Sequence, residues 1–132
     1  MVMTILIAED YDDNRELLRL LLSGVGYEIC EARDGHECLR MAKENPPDLV
    51  MVDLSMPGLD GWGVVKELRA DAATVHIPCI AVTAHTDRHR KLALETGFDA
   101  FVGKPYRTEE LLATVKRVID HKKVVNRQFN ET

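Results

Sequence analysis

Apolar and polar residues follow each other along the chain in blocks that predict five β-strands, each followed by an α-helix. Four short apolar runs are typical of strands that are buried on both faces of a parallel sheet. A fifth segment alternates apolar and polar residues, which predicts a more exposed strand. The predicted strands cover residues 4–8, 27–32, 49–53, 77–83 and 100–103.

Apolar residues spaced three and four apart follow every strand and predict the buried face of a helix. Asp12 or Asp13 is predicted to cap the first helix, with Glu16 completing a capping box, and Thr108 to cap the last. The fourth helix, residues 85–96, has a thin apolar stripe, so we expect it to be the least firmly packed. Inward-facing residues are predicted at Leu17, Leu18, Leu21, Leu22, Val25, Cys38, Leu39, Ala42, Val64, Val65, Leu68, Leu111, Leu112, Val115, Val118 and Ile119.

This alternation predicts an α/β fold in which a parallel sheet lies between two layers of helices. The specific expectation is a flavodoxin-like (βα)5 three-layer sandwich, with a parallel five-stranded sheet in the order 2-1-3-4-5. Residues 1–120 of the 132-residue chain would form this single domain, and residues 121–132 would form a short polar C-terminal tail.

Composition argues against several function classes. The net charge of −5 disfavours direct DNA binding, which needs a basic face. Cys30, Cys38 and Cys79 lack the spacing of metal ligands and are expected to be reduced thiols buried in the core. Neither an apolar run of membrane-spanning length nor a secretion signal is found, so we expect a cytoplasmic protein without membrane contact.

Carboxylates stand where two strands of the predicted sheet end. Glu9 and Asp10 follow the first strand, and Asp53 ends the third, which would lie beside it. Ligands of open α/β sheets bind beyond the carboxyl ends of the strands. Three carboxylates placed together repel each other unless a proton or a hard cation neutralises them, and oxygen ligands favour Mg²⁺ or Mn²⁺.

Two further polar residues end the fourth and fifth strands, namely Thr83 and Lys104. A hydroxyl, an ammonium group and a metal ion around Asp53 would stabilise a phosphoryl group that this carboxylate attacks. Taken singly, each residue has an ordinary explanation: Glu9 and Asp10 as solvated acids near a helix N-terminus, Thr83 as a strand-end hydroxyl, Lys104 as a surface amine. Their joint position at successive strand ends favours the functional interpretation.

Two other function classes fit the same residues less well. A Mg²⁺-dependent phosphohydrolase with Asp53 as nucleophile typically needs a second acid two residues later, where this chain has Ser55. A flavin or nucleotide carrier on the same fold is disfavoured because no glycine-rich phosphate loop follows the first strand.

The acids at the ends of the first and third strands, together with Thr83, Lys104 and their sequence neighbours, resemble the receiver domain of two-component response regulators, in particular a stand-alone, chemotaxis-regulator-like receiver. The resemblance covers residues 4–120. The resemblance implies that Asp53 is the phosphoacceptor and that Lys104 pairs with the phosphoryl oxygens. It also implies that Mg²⁺ or Mn²⁺ is held by Glu9, Asp10, Asp53 and the backbone carbonyl of Ser55. The motifs are Glu9-Asp10, Asp53 within Asp-Leu-Ser-Met-Pro-Gly-Leu-Asp-Gly, Thr83-Ala84 and Lys104-Pro105.

The same resemblance implies a switch. Thr83 would bond to the phosphoryl group, and Phe101, at the family's aromatic switch position, would then turn inward. Ser55 and His85 occupy variable positions that are thought to tune the lifetime of the phosphoryl group. A cis peptide bond is expected before Pro105.

The function implied is that of a phosphorylation-driven binding switch. The chain would accept its phosphoryl group from a sensor histidine kinase or a histidine phosphotransfer protein, and it would catalyse its own phosphorylation and dephosphorylation without being a turnover enzyme. Too few residues follow residue 120 for an output domain, so output is expected through an unknown protein target. The alternative is a phosphorelay shuttle that passes the phosphoryl group on to a histidine phosphotransfer protein.

Overall fold

The computed structural model describes residues 2–84 and 87–130, with side chains at 2–84 and 89–122. The five strands pair in parallel in the order β2-β1-β3-β4-β5, which confirms the predicted flavodoxin-like α/β fold. The elements are β1 (Thr4–Ala8), α1 (Asp12–Ser23), β2 (Glu28–Ala32), α2 (Gly35–Glu44), β3 (Leu49–Asp53), α3 (Gly61–Ala70), β4 (Cys79–Thr83), α4 (Asp87–Thr96), β5 (Ala100–Gly103) and α5 (Thr108–Asn130).

The apolar core forms one layer on each face of the sheet. Side chains of α2, α3 and α4 pack on one face, and those of α1 and α5 pack on the other. The central strand β3 contributes to both layers, because alternate side chains of a strand point to opposite faces. Its first four residues are at most 1% exposed, and this buried strand delivers Asp53 to the carboxyl edge.

The first helix differs from the sequence expectation at its start and on its surface. Tyr11 occupies the cap position without a side-chain hydrogen bond, so the predicted capping box of Asp12 or Asp13 with Glu16 is wrong. The Asp12 carboxylate instead accepts a hydrogen bond from Arg15. Two of the residues predicted to face inward are about half exposed: 48% of Leu17 and 55% of Val25 is accessible to solvent.

Other strand and helix ends also differ from the predicted ones. The fourth strand begins two residues later than predicted, at Cys79, because Pro78 lacks a backbone donor. The α4 helix begins at Asp87; the predicted start at His85 lies outside the described residues. The α5 backbone stays helical to Asn130, because a polar sequence without Gly or Pro has nothing that ends a helix.

The thiols follow expectation in part. Cys38 and Cys79 are buried, and burial raises the pKa of each to about 12, whereas Cys30 is only half-buried. In the described part of the chain, no helix is both long enough and apolar enough to span a membrane.

Gly61 sets how closely α3 approaches the end of β3. A Cβ atom at this position would lie 2.5 Å from the carbonyl oxygen of Asp53, which real Cβ atoms do not do. The Gly61 N–H also donates to the carbonyl of Leu54 at 3.2 Å. The start of α3 is thereby held directly against the backbone that carries Asp53.

Helix α4 buries few side chains, and hydrogen bonds hold the chain just after its C-terminal end. Among its described side chains only Ala93 is buried, while Leu92 and Leu94 are about half exposed. The guanidinium group of Arg69 donates two hydrogen bonds, of 3.0 and 2.9 Å, to the carbonyl of Gly97, just after the helix. Few buried apolar contacts mark the elements that open most easily, as we expected for this helix.

Candidate functional site

Glu9, Asp10 and Asp53 meet at the carboxyl edge of the sheet. Each offers a carboxylate oxygen, and these three oxygens all lie within 4.8 Å of one another. The strand order explains the meeting, because β1 and β3 are neighbours with Ala8 paired to Val52. Glu9 is buried, Asp53 is half-buried and Asp10 is exposed, so the cluster opens to solvent on the side of Asp10.

Lys104 lies between two of these acids. Its Nζ donates to Asp53 Oδ2 at 2.9 Å and to Glu9 Oε1 at 3.0 Å. Burial disfavours the charged ammonium, but the hydrogen bonds to Asp53 and Glu9 outweigh it and raise the pKa of Lys104 above its usual value. The lysine is therefore a fixed positive charge beside Asp53 at physiological pH. The peptide bond between Lys104 and Pro105 is cis, as expected.

Glu9 carries an electrostatic cost that a cation would relieve. Its side chain is 2% exposed, and its Oε2 atom has no hydrogen-bond partner among the described residues. Burial raises the pKa of this carboxyl, the neighbouring Asp53 raises it further, and Lys104 only partly offsets the rise. A buried oxygen without a donor, in a cluster of oxygen ligands alone, fits a hard divalent cation.

Asp53 is oriented by its own loop as well as by Lys104. The backbone N–H of Ser55 donates to Asp53 Oδ1 at 2.8 Å, so each carboxylate oxygen has a donor. The side chain of Ser55 is exposed beside this contact. Its predicted roles, as a metal ligand through its carbonyl and as a tuning residue, stay predictions. His85, the other predicted tuning residue, lies outside the described residues.

Thr83 and Phe101 lie on the same face of the sheet, next to α4. Thr83 ends β4 and is 1% exposed. Phe101 on β5 pairs in register with Ala81, which lies two residues before Thr83 on β4 and therefore on the same face. Phe101 is half-buried, and the guanidinium carbon of Arg90 on α4 lies 5.7 Å from the centre of its ring. Strands β4 and β5 are joined at their ends by the Lys104 N–H, which donates to the Thr83 carbonyl at 2.7 Å.

One contact at the site was not predicted from the sequence. Arg15, on the first turn of α1, donates from its guanidinium group to the backbone carbonyl of Glu9 at 2.8 Å. The sequence signal was faint, since an arginine within an amphipathic helix is usually a surface residue. Only the fold reveals that its side chain turns back toward the β1 end.

A family model described as the response regulator receiver domain matches residues 5–116. Two curated relatives differ in how much of their length the chain covers. The polar-differentiation response regulator DivK of Brucella ovis is 35% identical over 117 residues, which are 88% of this chain and 95% of that protein. The DNA-binding response regulator MtrA of Mycolicibacterium smegmatis is 38% identical over 113 residues, 85% of this chain but 48% of MtrA. The chain likewise spans less than half the length of other curated relatives that it matches.

Among solved structures, the chain is similar to the receiver domain of a sensor histidine kinase from Pseudomonas aeruginosa PAO1. The TM-score is 0.84 and the identity 28%, covering 91% of this chain and 99% of that one. That structure is described as having a magnesium ion coordinated in its active-site cleft.

The raised pKa of Glu9 predicts that a neutral side chain at this position and a bound cation each stabilise the folded protein. A pKa above the unfolded value means that this group favours folding fully below the unfolded value, and that the contribution is lost as pH rises through the folded pKa. At neutral pH, Glu9→Gln should therefore raise the melting temperature of the metal-free protein. Wild type should likewise gain about 1.4 kcal/mol of stability from Mg²⁺ at ten times its dissociation constant.

Thermal unfolding in chelator and in Mg²⁺ checks both effects. Asp10→Ala should lose most of the Mg²⁺-induced stabilisation, whereas Asp13→Asn, which changes an exposed acid on the first turn of α1, should keep it. Equal stabilisation of Asp10→Ala and wild type by Mg²⁺ would contradict the metal assignment.

Proposed function

The chain belongs to the response regulator receiver domain family, and from this premise we propose that Asp53 accepts a phosphoryl group from a phosphohistidine protein in a Mg²⁺-dependent reaction. The observation that carries the proposal is the placement of Asp53 between a fixed ammonium group and two further carboxylates. An acid in this position combines a nucleophilic oxygen with the charges that phosphoryl transfer requires.

The transfer needs one bond to form and one to break. A carboxylate oxygen of Asp53 attacks phosphorus as the bond between phosphorus and the donor's imidazole nitrogen breaks, and the released imidazole takes up a proton. Lys104 already lies 2.9 Å from Asp53 Oδ2, so its charge stands where negative charge accumulates on the transferring oxygens. The site thus catalyses a transfer onto itself, which is why we do not assign a turnover enzyme.

Glu9, Asp10 and Asp53 would hold the cation, with the Ser55 carbonyl as a further ligand. A bound Mg²⁺ supplies a Lewis acid that offsets negative charge on the phosphoryl oxygens. Mg²⁺ suits the proposal because it is usually bound through one or two carboxylates and keeps positions for phosphate oxygens. The unpartnered Glu9 Oε2 is the feature of this chain that supports a cation here.

Tyr11 and the exposed side of α1 offer a surface for a protein phosphodonor. Tyr11 follows Asp10 directly and is 60% exposed, and Leu17 and Leu20 lie three apart on the helix, both about half exposed. Large exposed apolar side chains beside an open site are typical of protein interaction surfaces. A donor seated on α1 would bring its phosphohistidine to the side of the cluster on which Asp10 opens to solvent.

Phosphorylation would be transmitted through Thr83 to α4. A phosphoryl group adds roughly one and a half to two negative charges and three strong acceptors, which favour a new hydrogen bond from the Thr83 hydroxyl. Movement of this buried side chain would leave space on the face that Phe101 shares. An inward turn of Phe101 would break its contact with Arg90, so that α4 presents a changed surface to a protein target.

Acetyl phosphate should add one phosphoryl group to the protein, and only when Mg²⁺ is present. Glu9 and Asp53 both contact Lys104 and both belong to the acidic cluster, and the expectation rests on Asp53 being the more exposed of the two, with 12% of its side chain accessible against 2% for Glu9. Intact-mass analysis measures it. Asp53→Asn should stay unmodified, and the exposed control Asp13→Asn should be modified like wild type; a labile phosphate retained on Asp53→Asn would move the acceptor elsewhere.

The switch predicts a response that depends on the hydroxyl of residue 83. With beryllofluoride and Mg²⁺, backbone amide signals of β5 and α4 should shift, and the fluorescence of Trp62 should change. Trp62 lies on α3 with its ring centroid 6.5 Å from that of His89 on α4 and 6.1 Å from that of Phe98. Thr83→Ser should keep the response of α4, and Thr83→Val should lose it while signals near Asp53 still shift. If the signal changes in wild type were confined to the surroundings of Asp53, the switch would be refuted and the function of a phosphoryl carrier would remain.

A further inference from the structure

The backbone of Glu9 is held by two hydrogen bonds, one on the peptide unit that precedes it and one on the peptide unit that joins it to Asp10. The Glu9 N–H donates to the carbonyl of Ala32 at the end of β2, at 3.2 Å. The Glu9 carbonyl accepts from Arg15 Nη1 at 2.8 Å. The Glu9–Asp10 peptide unit lies beyond the last paired residue of β1, Ala8, so the sheet ladder does not fix it, and the bond from Arg15 is the one that acts on it directly. Its orientation determines how the two successive carboxylates, Glu9 and Asp10, project into the cluster.

The Arg15 side chain is mostly buried and has several partners. Its side chain is only 11% exposed, although it begins on the first turn of a surface helix. Its guanidinium group also contacts Asp12 and lies 3.7 Å from Glu31. A planar guanidinium can serve several acceptors in one fixed arrangement, which a lysine ammonium cannot reproduce.

We propose that Arg15 is a positioning residue of the metal and phosphoacceptor site, which sets the Glu9–Asp10 peptide through its hydrogen bond to the Glu9 carbonyl. It touches neither the cation nor the phosphoryl group. The assignment rests on the proposed function of the site, and it adds a residue to the machinery that orients the ligands. Groups that orient metal ligands typically change metal affinity about 10- to 100-fold when they are removed.

Arg19 offers a matched control one turn further along α1. It lies 3.6 Å from Glu16 and 3.9 Å from the same Glu31 carboxylate that Arg15 approaches. Arg19→Gln therefore removes a positive charge from the same helix and the same acidic neighbour while keeping the Arg15 contact to Glu9. Glu31→Gln likewise removes a partner of Arg15 and keeps that contact.

The test is calorimetric titration of Mg²⁺ into the phosphate-free variants, with unfolding curves recorded in chelator. Arg15→Gln should bind Mg²⁺ at least about tenfold more weakly than wild type. Arg15→Lys should lie between the two, and Arg19→Gln and Glu31→Gln should stay within twofold of wild type. A merely structural role would lower the melting temperature of Arg15→Gln without moving its Mg²⁺ affinity at a temperature where it is folded, and that result would overturn the proposal.

A second readout separates this proposal from the function itself. In labelling by acetyl phosphate, Arg15→Gln should need more Mg²⁺ for half-maximal rate and reach nearly the wild-type rate at saturation. Failure of wild type to be labelled would refute the proposed function, whereas labelling of Arg15→Gln with an unchanged Mg²⁺ requirement would refute only the role of Arg15. If Arg15→Gln does not fold, Arg15→Lys decides: a Mg²⁺ affinity equal to wild type would overturn the proposal, and a loss of threefold or more would support it.

Discussion

The crowding of three carboxylates at one edge of the sheet is the electrostatic constraint on which the site depends. Like charges within 4.8 Å of one another disfavour ionisation, and the burial of Glu9 adds to the cost. The chain offsets this cost with a positive charge that only the folded structure supplies, since Lys104 is 95 residues from Glu9 and 51 from Asp53 along the sequence. The offset is incomplete, because one buried oxygen of Glu9 keeps no donor among the described residues. The remaining imbalance is what makes the site suited to a cation.

The excess of negative charge at the site also connects Asp53 to β4, β5 and α4. Additional negative charge on Asp53 would need further donors, and Thr83 ends the strand that pairs with β3. That residue shares its sheet face with Phe101, whose ring contacts Arg90 of α4. Helix α4 is the element that can respond at low cost, because Ala93 is its single buried side chain among those described. Its C-terminal end stays fixed through Arg69, so a displacement would grow toward the N-terminal end.

The sequence predicted those features that depend on strong local patterns. Buried apolar runs such as residues 49–52 predicted the strands, and the order 2-1-3-4-5 came from the flavodoxin-like fold that the alternation suggests. With that order, the polar residues at strand ends predicted the meeting of Glu9, Asp10, Asp53 and Lys104, which the structure shows. It did not predict contacts in which a polar side chain chooses between local and distant partners. Asp12 was expected to cap a helix but pairs with Arg15, and Arg15 reaches the Glu9 carbonyl, because both outcomes fit the same amphipathic pattern. The extent of α5 was missed for a related reason, since a polar composition carries no information about where a helix ends.

Reductive trapping of the acyl phosphate tests the central claim most directly. Borohydride reduces an aspartyl phosphate to homoserine, so protein treated with acetyl phosphate and Mg²⁺, then reduced and digested, reports the modified residue by peptide mass spectrometry. The account predicts homoserine at position 53 alone, and none when Mg²⁺ is chelated before acetyl phosphate is added. Homoserine at Asp10 or another aspartate, or the reduced five-carbon alcohol (2-amino-5-hydroxypentanoic acid) at Glu9 or another glutamate, with Asp53 intact, would contradict it.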